Sequence, residues 1–422
     1  MVSKRSYDCI VMGAGPAGST VAALVAEQGY STLLTEREKM PRIHVGESLI
    51  PESYWVLERL GIVQEMSRIG FTKKSGIQFV TSDDVESAPF LFSENDEQES
   101  SVTWHVERAK FDKLMYDTAY NRGATVVDET SIIDIELRKQ SPHKITLRTS
   151  DGKEQEVTAK VLVDGTGMQG LISSRMDLKV RDEELSQSAI WGYYANAARN
   201  GGINCEFTTI LHTNTKDAWF WYVPLADGTA SVGLIGANEF ILKRRETPEQ
   251  TFKTELNKCP ALKRRLLDAS PASKFYVAKD FNFTTKHQAG DGWVLVGDAA
   301  GSVDPITGAG VLVALKTGWM AADAITSALA SNDLSVKRLG SWTGEYQRGM
   351  DYLRRFSRAF YHAQFNLPDF VKVYPQQQQK VIDFLAGKVF AGNPGAVIDD
   401  LELWIERLES GEKIMIPESA VG

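Results

Sequence analysis

The residue types best placed to do chemistry in this chain are three glycines. Asp8-Cys9-Ile10-Val11-Met12 is an apolar run that leads directly into Gly13-Ala14-Gly15-Pro16-Ala17-Gly18 and then into an alanine-rich, helical stretch from Ser19 to Gln28. Between a strand and a helix, the first glycine permits a tight turn, the second lets backbone approach a diphosphate, and the third lets the helix pack closely on the strand. The diphosphate then rests on the helix N-terminus, beside Pro16 and Ala17. A second strand, Ser31 to Thr35, ends in Glu36, a carboxylate placed to bind ribose hydroxyls, with Arg37 next to it. This chemistry is dinucleotide binding.

A second set lies late in the chain. The buried strand around Trp293-Val294-Leu295-Val296 ends in Gly297-Asp298-Ala299-Ala300-Gly301, and Asp304-Pro305-Ile306-Thr307-Gly308-Ala309-Gly310 opens an alanine-rich helix that runs to about Ala330. Asp298 can accept hydrogen bonds from a sugar-alcohol chain. Gly308, Ala309 and Gly310 offer backbone that can lie against a flat ring, with a helix N-terminus behind it to stabilise negative charge. Asp164-Gly165-Thr166-Gly167 ends another apolar strand, at the edge where a doubly wound sheet keeps its ligand crevice.

Three further features admit two readings each. Arg108, at the start of a helix over Ala109 to Ala119, is an anion ligand or an exposed charge. Lys73-Lys74, in a turn that feeds a strand carrying Ile77 and Phe79 on one face, ordinarily marks a solvated surface. Trp219-Phe220-Trp221-Tyr222-Val223-Pro224 puts both tryptophans on one face of a strand, and aromatic residues in strands ordinarily form core.

The elements that must position these groups read as α/β. A GxGxxG Rossmann-like domain carries an inserted antiparallel sheet, with strands at 190–195, 206–212, 219–224, 229–235 and 274–279 and one amphipathic helix from Thr247 to Asn257. Residues 82–101, around Phe90-Leu91-Phe92, read as a surface hairpin. The expected division is a core over 1–335 and a helical, aromatic-rich region over 336–422. Within the core, 1–74, 104–174 and 285–335 form the dinucleotide part, and 75–103 and 175–284 the substrate-side sheet.

Composition narrows the partners. A chain of 422 residues with net charge −8 and no long basic run is not built for nucleic acid. Cys9, Cys205 and Cys259 form no CxxC pair and the six histidines are scattered, so no metal and no disulfide framework is expected. No apolar run is long enough to span a bilayer and no secretory leader is evident, so a cytoplasmic location is expected.

Together, GAGPAG, Arg108, the DGTG turn at Asp164 and GDAAG at Asp298 resemble the FAD-dependent monooxygenases of hydroxybenzoate hydroxylase type, which implies FAD. Within that superfamily the chain looks most like the flavin-dependent halogenases, nearer the phenol and pyrrole branch than the tryptophan enzymes. The segment His44-Val45-Gly46-Glu47-Ser48-Leu49-Ile50-Pro51 resembles the family's flavin strap, which adds Gly46, Glu47 and Ser48 to the cofactor residues. Trp219-x-Trp221-x-Val223-Pro224 resembles its WxWxIP signature, implying a barrier between substrate and flavin. Phe71-Thr72-Lys73-Lys74-Ser75-Gly76-Ile77-Gln78-Phe79 resembles the segment that holds the family's active-site lysine, which falls on Lys74.

The resemblance implies an enzyme that uses reduced FAD from a separate flavin reductase, O2, and chloride or bromide. Halide is oxidised through a flavin C4a-hydroperoxide, and Lys74 passes the halogen to a phenol, pyrrole or indole, free or tethered to a carrier protein. Halide is expected near Thr307, Gly308, Ala309 and Gly310. There the chain departs from the family, with Ser302 for a phenylalanine and Gly308 for a serine. The turn also resembles geranylgeranyl-reductase-like flavoproteins, so a reductase or hydroxylase is the alternative activity, and a non-catalytic flavin-binding protein a third.

Overall fold

In the computed structural model the described residues are 2, 4–95, 98–138, 142–199, 206–242, 246–362, 365–390 and 394–415. Cys205 lies outside them. Cys9 and Cys259 are buried free thiols.

The strand Ser6–Met12 is covered on both faces, which is why it reads as an unbroken apolar run. It pairs in parallel with Thr32–Thr35 on one side and Glu154–Asp164 on the other, and the parallel sheet extends to Thr125–Val127 and Trp293–Leu295. Met12, Thr35, Asp164 and Leu295 all end their strands at one edge, where the loops at 13, 36, 165 and 296–298 line a common crevice. The helix Pro16–Glu27 starts earlier than its apolar pattern, because Pro16 supplies the preset φ of a first helical turn. Against it lies Gly310–Ser331, packed so closely that a Cβ on Gly318 would sit 2.7 Å from the Ala17 carbonyl oxygen.

The second sheet has nine strands, with Gln187–Ala195, Thr229–Ala237, Ala218–Pro224, Glu206–His212 and Thr72–Val80 side by side. Its expected antiparallel character holds except at one seam, where Glu206–His212 runs parallel to Thr72–Val80. The register slips there: Glu206 faces Lys74 but Phe207 faces Gly76. Ser75 is therefore an extra residue, a bulge that reverses the alternation of side chains ahead of it. Lys73 and Lys74, expected in a turn that feeds the strand, thus lie within it.

Other elements depart from expectation for local reasons. Thr247 and Gln250 form a reciprocal capping box that starts the helix Pro248–Leu256, while Asn238–Leu242 and Pro260–Arg265 are further short helices that the strand pattern obscures. Among its described residues, the segment expected as a surface hairpin keeps a two-residue strand, Phe90–Leu91, and buries Phe92. After residue 335 come five α-helices among the described residues, the longest Thr343–Phe360 and Gly395–Glu409. Trp342, Tyr346, Phe356, Phe360 and Phe365 are buried in the main core, so the aromatic pattern of this region is packing. None of the described helices is long and apolar enough to cross a membrane, and no His, Cys, Asp and Glu cluster among the described residues has metal-site geometry.

Candidate active site

The glycine turn divides its labour as its spacing suggests. Gly13 has φ +94°, and a Cβ there would stand 2.5 Å from the Gly165 carbonyl oxygen; one on Gly18 would strike the Gly13 oxygen at 2.0 Å. At Gly15 the nearest atom to such a Cβ is Arg42 Nη2 at 3.7 Å, so this glycine alone faces the crevice. The second glycine turn packs against the first through Gly165, while Asp164 is wholly buried and accepts from Thr166 N, Thr166 Oγ1 and Ile172 N at 3.1, 2.6 and 2.7 Å.

Behind the turn lies a buried ionic row that residue spacing only partly announces. Glu36 Oε2 accepts from Ala14 N at 3.1 Å and pairs with Arg42 Nε at 3.2 Å; Arg42 Nη1 meets Asp112 Oδ2 at 2.7 Å. Asp112 also receives Arg108 Nε and Nη2 at 2.8 and 3.0 Å. Burial alone raises a carboxyl, but the two guanidinium groups outweigh it and hold Asp112 below the usual range. Arg108 is 7% exposed and donates also to Val45 O, so it is no surface charge: it ties the strap at 44–51 to the helix Arg108–Asn121. Asp112, four residues after Arg108, was readable as a helical partner. Arg42 had no such signal, since its partners are distant in sequence. Arg37 is exposed at the mouth, with Nη1 donating to Gln169 Oε1 at 3.0 Å.

Asp298 meets no hydrogen-bond donor among the described residues, although burial pushes its carboxyl up to about 6 against the pull of Arg108. A half-buried carboxylate left open on a crevice wall fits a polyol chain, and with the open Gly15 face and Glu36 it gives the crevice the donor and acceptor set that FAD requires.

The strap crosses from this crevice to the second sheet. Leu49 N donates to Trp104 O at 3.0 Å and Val106 N to Glu47 O at 2.7 Å, and Gly46 takes φ +104° beside Arg108. Glu47 is buried, which raises its pKa, and Tyr193 Oη donates to it at 2.6 Å. Facing the strap is the turn expected to hold halide, and most of its donors are already engaged. Thr307 Oγ1 donates to Asp304 O at 3.0 Å, Gly308 N to Pro305 O at 2.9 Å and Ala309 N to Thr307 Oγ1 at 3.3 Å. Of the four expected residues only Gly310 presents an N–H without an acceptor among the described residues, because the first amides of a helix have no intrahelical partner. The Thr307 hydroxyl proton is engaged within the turn.

Lys74 is 1% exposed. Because of the Ser75 bulge it reaches the strap, where Nζ donates to Ser48 Oγ at 3.0 Å and Leu49 O at 2.9 Å, above the Phe92 ring at 5.3 Å. Burial lowers its pKa to about 7. It is a sheltered amine that carries a lone pair near neutral pH, hence a nucleophile, and no part of the solvated turn that two adjacent lysines suggest. Two residues missed in the sequence stand behind it. His105 is fully buried, with Nδ1 3.0 Å from Pro224 O and Nε2 3.0 Å from Thr208 Oγ1; Thr208 Oγ1 is 2.7 Å from Ser48 Oγ.

Trp219 and Trp221 share a face in the main core, and Phe220 and Tyr222 share the other, as strand alternation requires. Trp219 Nε1 donates to Tyr361 Oη at 3.1 Å, which donates in turn to Asp304, so Tyr361 of the helical region joins this strand to the start of the turn expected to hold halide. Trp221 Nε1 donates to Ser231 Oγ at 3.1 Å, and its indole lies over Gly233 of the neighbouring strand.

A dinucleotide crevice joined by a strap to a sheltered amine defines a flavoprotein oxidoreductase. The tryptophan halogenase family model matches residues 8–103 and 86–369. A pyrrole-2-carbonyl peptidyl-carrier-protein chlorinase of Pseudomonas fluorescens is 30% identical over 97% of this chain and 95% of its own. The corresponding brominase of Pseudoalteromonas luteoviolacea is 28% identical over 92% and 93%. The solved structure of the flavin-dependent brominase Bmp2 superposes with a TM-score of 0.85 at 25% identity, covering 96% of this chain and all of that one. The chain belongs to the tryptophan halogenase family and is a flavin-dependent halogenase that uses FAD, halide and O2.

Proposed function

We propose that this chain halogenates a pyrrole ring presented as an acyl group on a peptidyl carrier protein, with Lys74 as the residue that receives the halogen. The observation that carries the reading is the lysine itself, buried, pushed to about 7 and held on the strap by Ser48 and Leu49. The near full-length likeness to two carrier-dependent pyrrole halogenases supports the substrate class.

FAD would be held by Gly13, Gly15, Pro16, Ala17 and Gly18 at the diphosphate, Glu36 and Arg37 at the adenosine end, and Asp298 at the polyol chain. Gly46, Glu47, Ser48, Arg108 and Gly308 to Gly310 would surround the ring. Bound in its reduced form, delivered by a separate reductase, it supplies the electrons with which O2 converts chloride or bromide to hypohalous acid. Gly310 N–H is the donor left for the halide. The neutral Lys74 amine attacks the halogen of the acid: an N–X bond forms, the O–X bond breaks and water leaves. The aromatic ring then takes the halogen and returns the amine. Trp219 and Trp221 wall the ring off from the flavin crevice. The reduced, buried Cys9 and Cys259 support a cytoplasmic location.

The test supplies FAD, a flavin reductase and bromide with pyrrole-2-carbonyl carrier protein, free pyrroles, phenols and indoles, followed by mass spectrometry. Brominated carrier-bound pyrrole, lost in Lys74→Ala with FAD still bound, is expected. Hydroxylated or reduced products alone would overturn the reading.

A further inference from the structure

We propose that His105 is a positioning residue for Lys74, acting through Thr208 and Ser48 to keep the lone pair of the amine unobstructed. The inference rests on the reading of Lys74 as the group that receives the halogen. Five contacts fix it, because each leaves only one assignment of protons. The Pro224 carbonyl can only accept, so the 3.0 Å contact from His105 requires a proton on Nδ1. His105 is fully buried, with the Lys74 amine and Arg199 near it, and these hold it well below the ordinary imidazole range. The ring is therefore neutral and Nε2 is bare.

A bare Nε2 can only accept, so Thr208 spends its single hydroxyl proton there, at 3.0 Å. Thr208 Oγ1 must then accept from Ser48 across 2.7 Å, and Ser48, its own proton spent, must accept from Lys74 Nζ across 3.0 Å. The second N–H of the neutral amine goes to Leu49 O at 2.9 Å, another atom that can only accept. Both N–H groups are consumed on the strap. The lone pair meets no donor among the described residues and is left for an electrophile.

The opposite tautomer would run the chain backwards. Nε2–H would donate to Thr208, Thr208 to Ser48, and Ser48 to the lone pair of Lys74, which would then be occupied. It would also set a bare Nδ1 against the Pro224 oxygen. The carbonyl that closes the Trp219-to-Pro224 strand thus selects the direction of the whole chain, and with it the nucleophilicity of an amine three hydrogen bonds away from the imidazole.

Two measurements decide it. In the FAD-loaded protein labelled with nitrogen-15 histidine, long-range proton–nitrogen correlation spectra at neutral pH are expected to show His105 as the Nδ1–H tautomer; the Nε2–H tautomer or an imidazolium overturns the proposal. In Thr208→Val the Ser48 hydroxyl is free to turn toward the amine. Chlorination of Lys74 by N-chlorosuccinimide, taken as the difference from Lys74→Leu, is then expected to slow about tenfold, the factor for one hydrogen bond that must break first. FAD affinity is expected to stay unchanged and Thr208→Ser to restore the rate. Halogenation by Lys74→Ala would remove the function that the proposal serves. A dead Lys74→Ala beside a full-rate Thr208→Val would overturn the positioning role alone.

Discussion

A lysine amine with 1% exposure, held by a hydroxyl and a carbonyl oxygen, is uncommon in a protein, since burial favours the uncharged form. The cost leaves a pH signature. Between about 7 and the ordinary lysine value the unfolded chain binds a proton at this position that the folded chain does not, so stability rises with pH across that window and is flat below it. Lys74→Met removes the term. The variant is expected to be more stable than the parent near neutral pH, with the gap closing as pH approaches 10.5, as read by urea unfolding at several pH values; a gap independent of pH would show that the buried amine stays charged. The residue itself was legible through its resemblance to a family segment. Its surroundings were not, because Ser48, Thr208 and His105 come from three segments far apart in sequence, joined by hydrogen bonds that no periodicity encodes.

Strand alternation was the most legible element-level feature. It sorted Trp219 and Trp221 from Phe220 and Tyr222, because both faces of the strand are packed and each side chain has one place to go. What alternation hides is the space that a partner strand must leave. Gly233 lies opposite Trp221, and a Cβ there would stand 2.1 Å from the indole Cζ2. Valine suits a strand by propensity, yet Gly233→Val is expected to cost about 1–3 kcal/mol by overpacking. Denaturant unfolding followed by tryptophan fluorescence checks this, and an unchanged midpoint would mean that the indole yields freely. The stretch from Asp304 to Gly310 was legible as a turn from its residues, and as a place for halide only through the family resemblance. Which of its amides remain available depends on hydrogen bonds inside the turn, and these leave Gly310.

At the scale of the molecule, the two sheets are joined across the strap. Glu47 is bonded from one side by Tyr193 of the second sheet, while Arg108 of the dinucleotide layer holds Val45 two residues earlier. The doubly wound half announced itself through Gly13, Gly15, Gly18 and Glu36, whose spacing is local. The clasp did not, since Tyr193 and Glu47 are separated by most of that half. Removing one hydroxyl tests the coupling. Tyr193→Phe leaves a buried carboxylate short of a donor, for which a stability loss of about 1–3 kcal/mol is expected. Weaker FAD binding, measured by flavin fluorescence quenching, is expected with it. Full FAD affinity in a destabilised variant would separate the clasp from the cofactor.

The bulge at Ser75 has a consequence for how this activity is inherited. The seam between the two strands has one more residue on the Lys74 side than pairing needs, and it is that surplus, not the serine side chain, that turns Lys74 toward the strap. Chemistry at this point is stored as a count. Exchanging the amino acid at 75 for another leaves the count intact and the lysine aimed. Gaining a single codon on the facing strand, between Glu206 and Phe207, would give Ser75 a partner, restore regular pairing and swing an unaltered lysine to the face opposite Thr208, so the residue would survive in the gene while its address was lost.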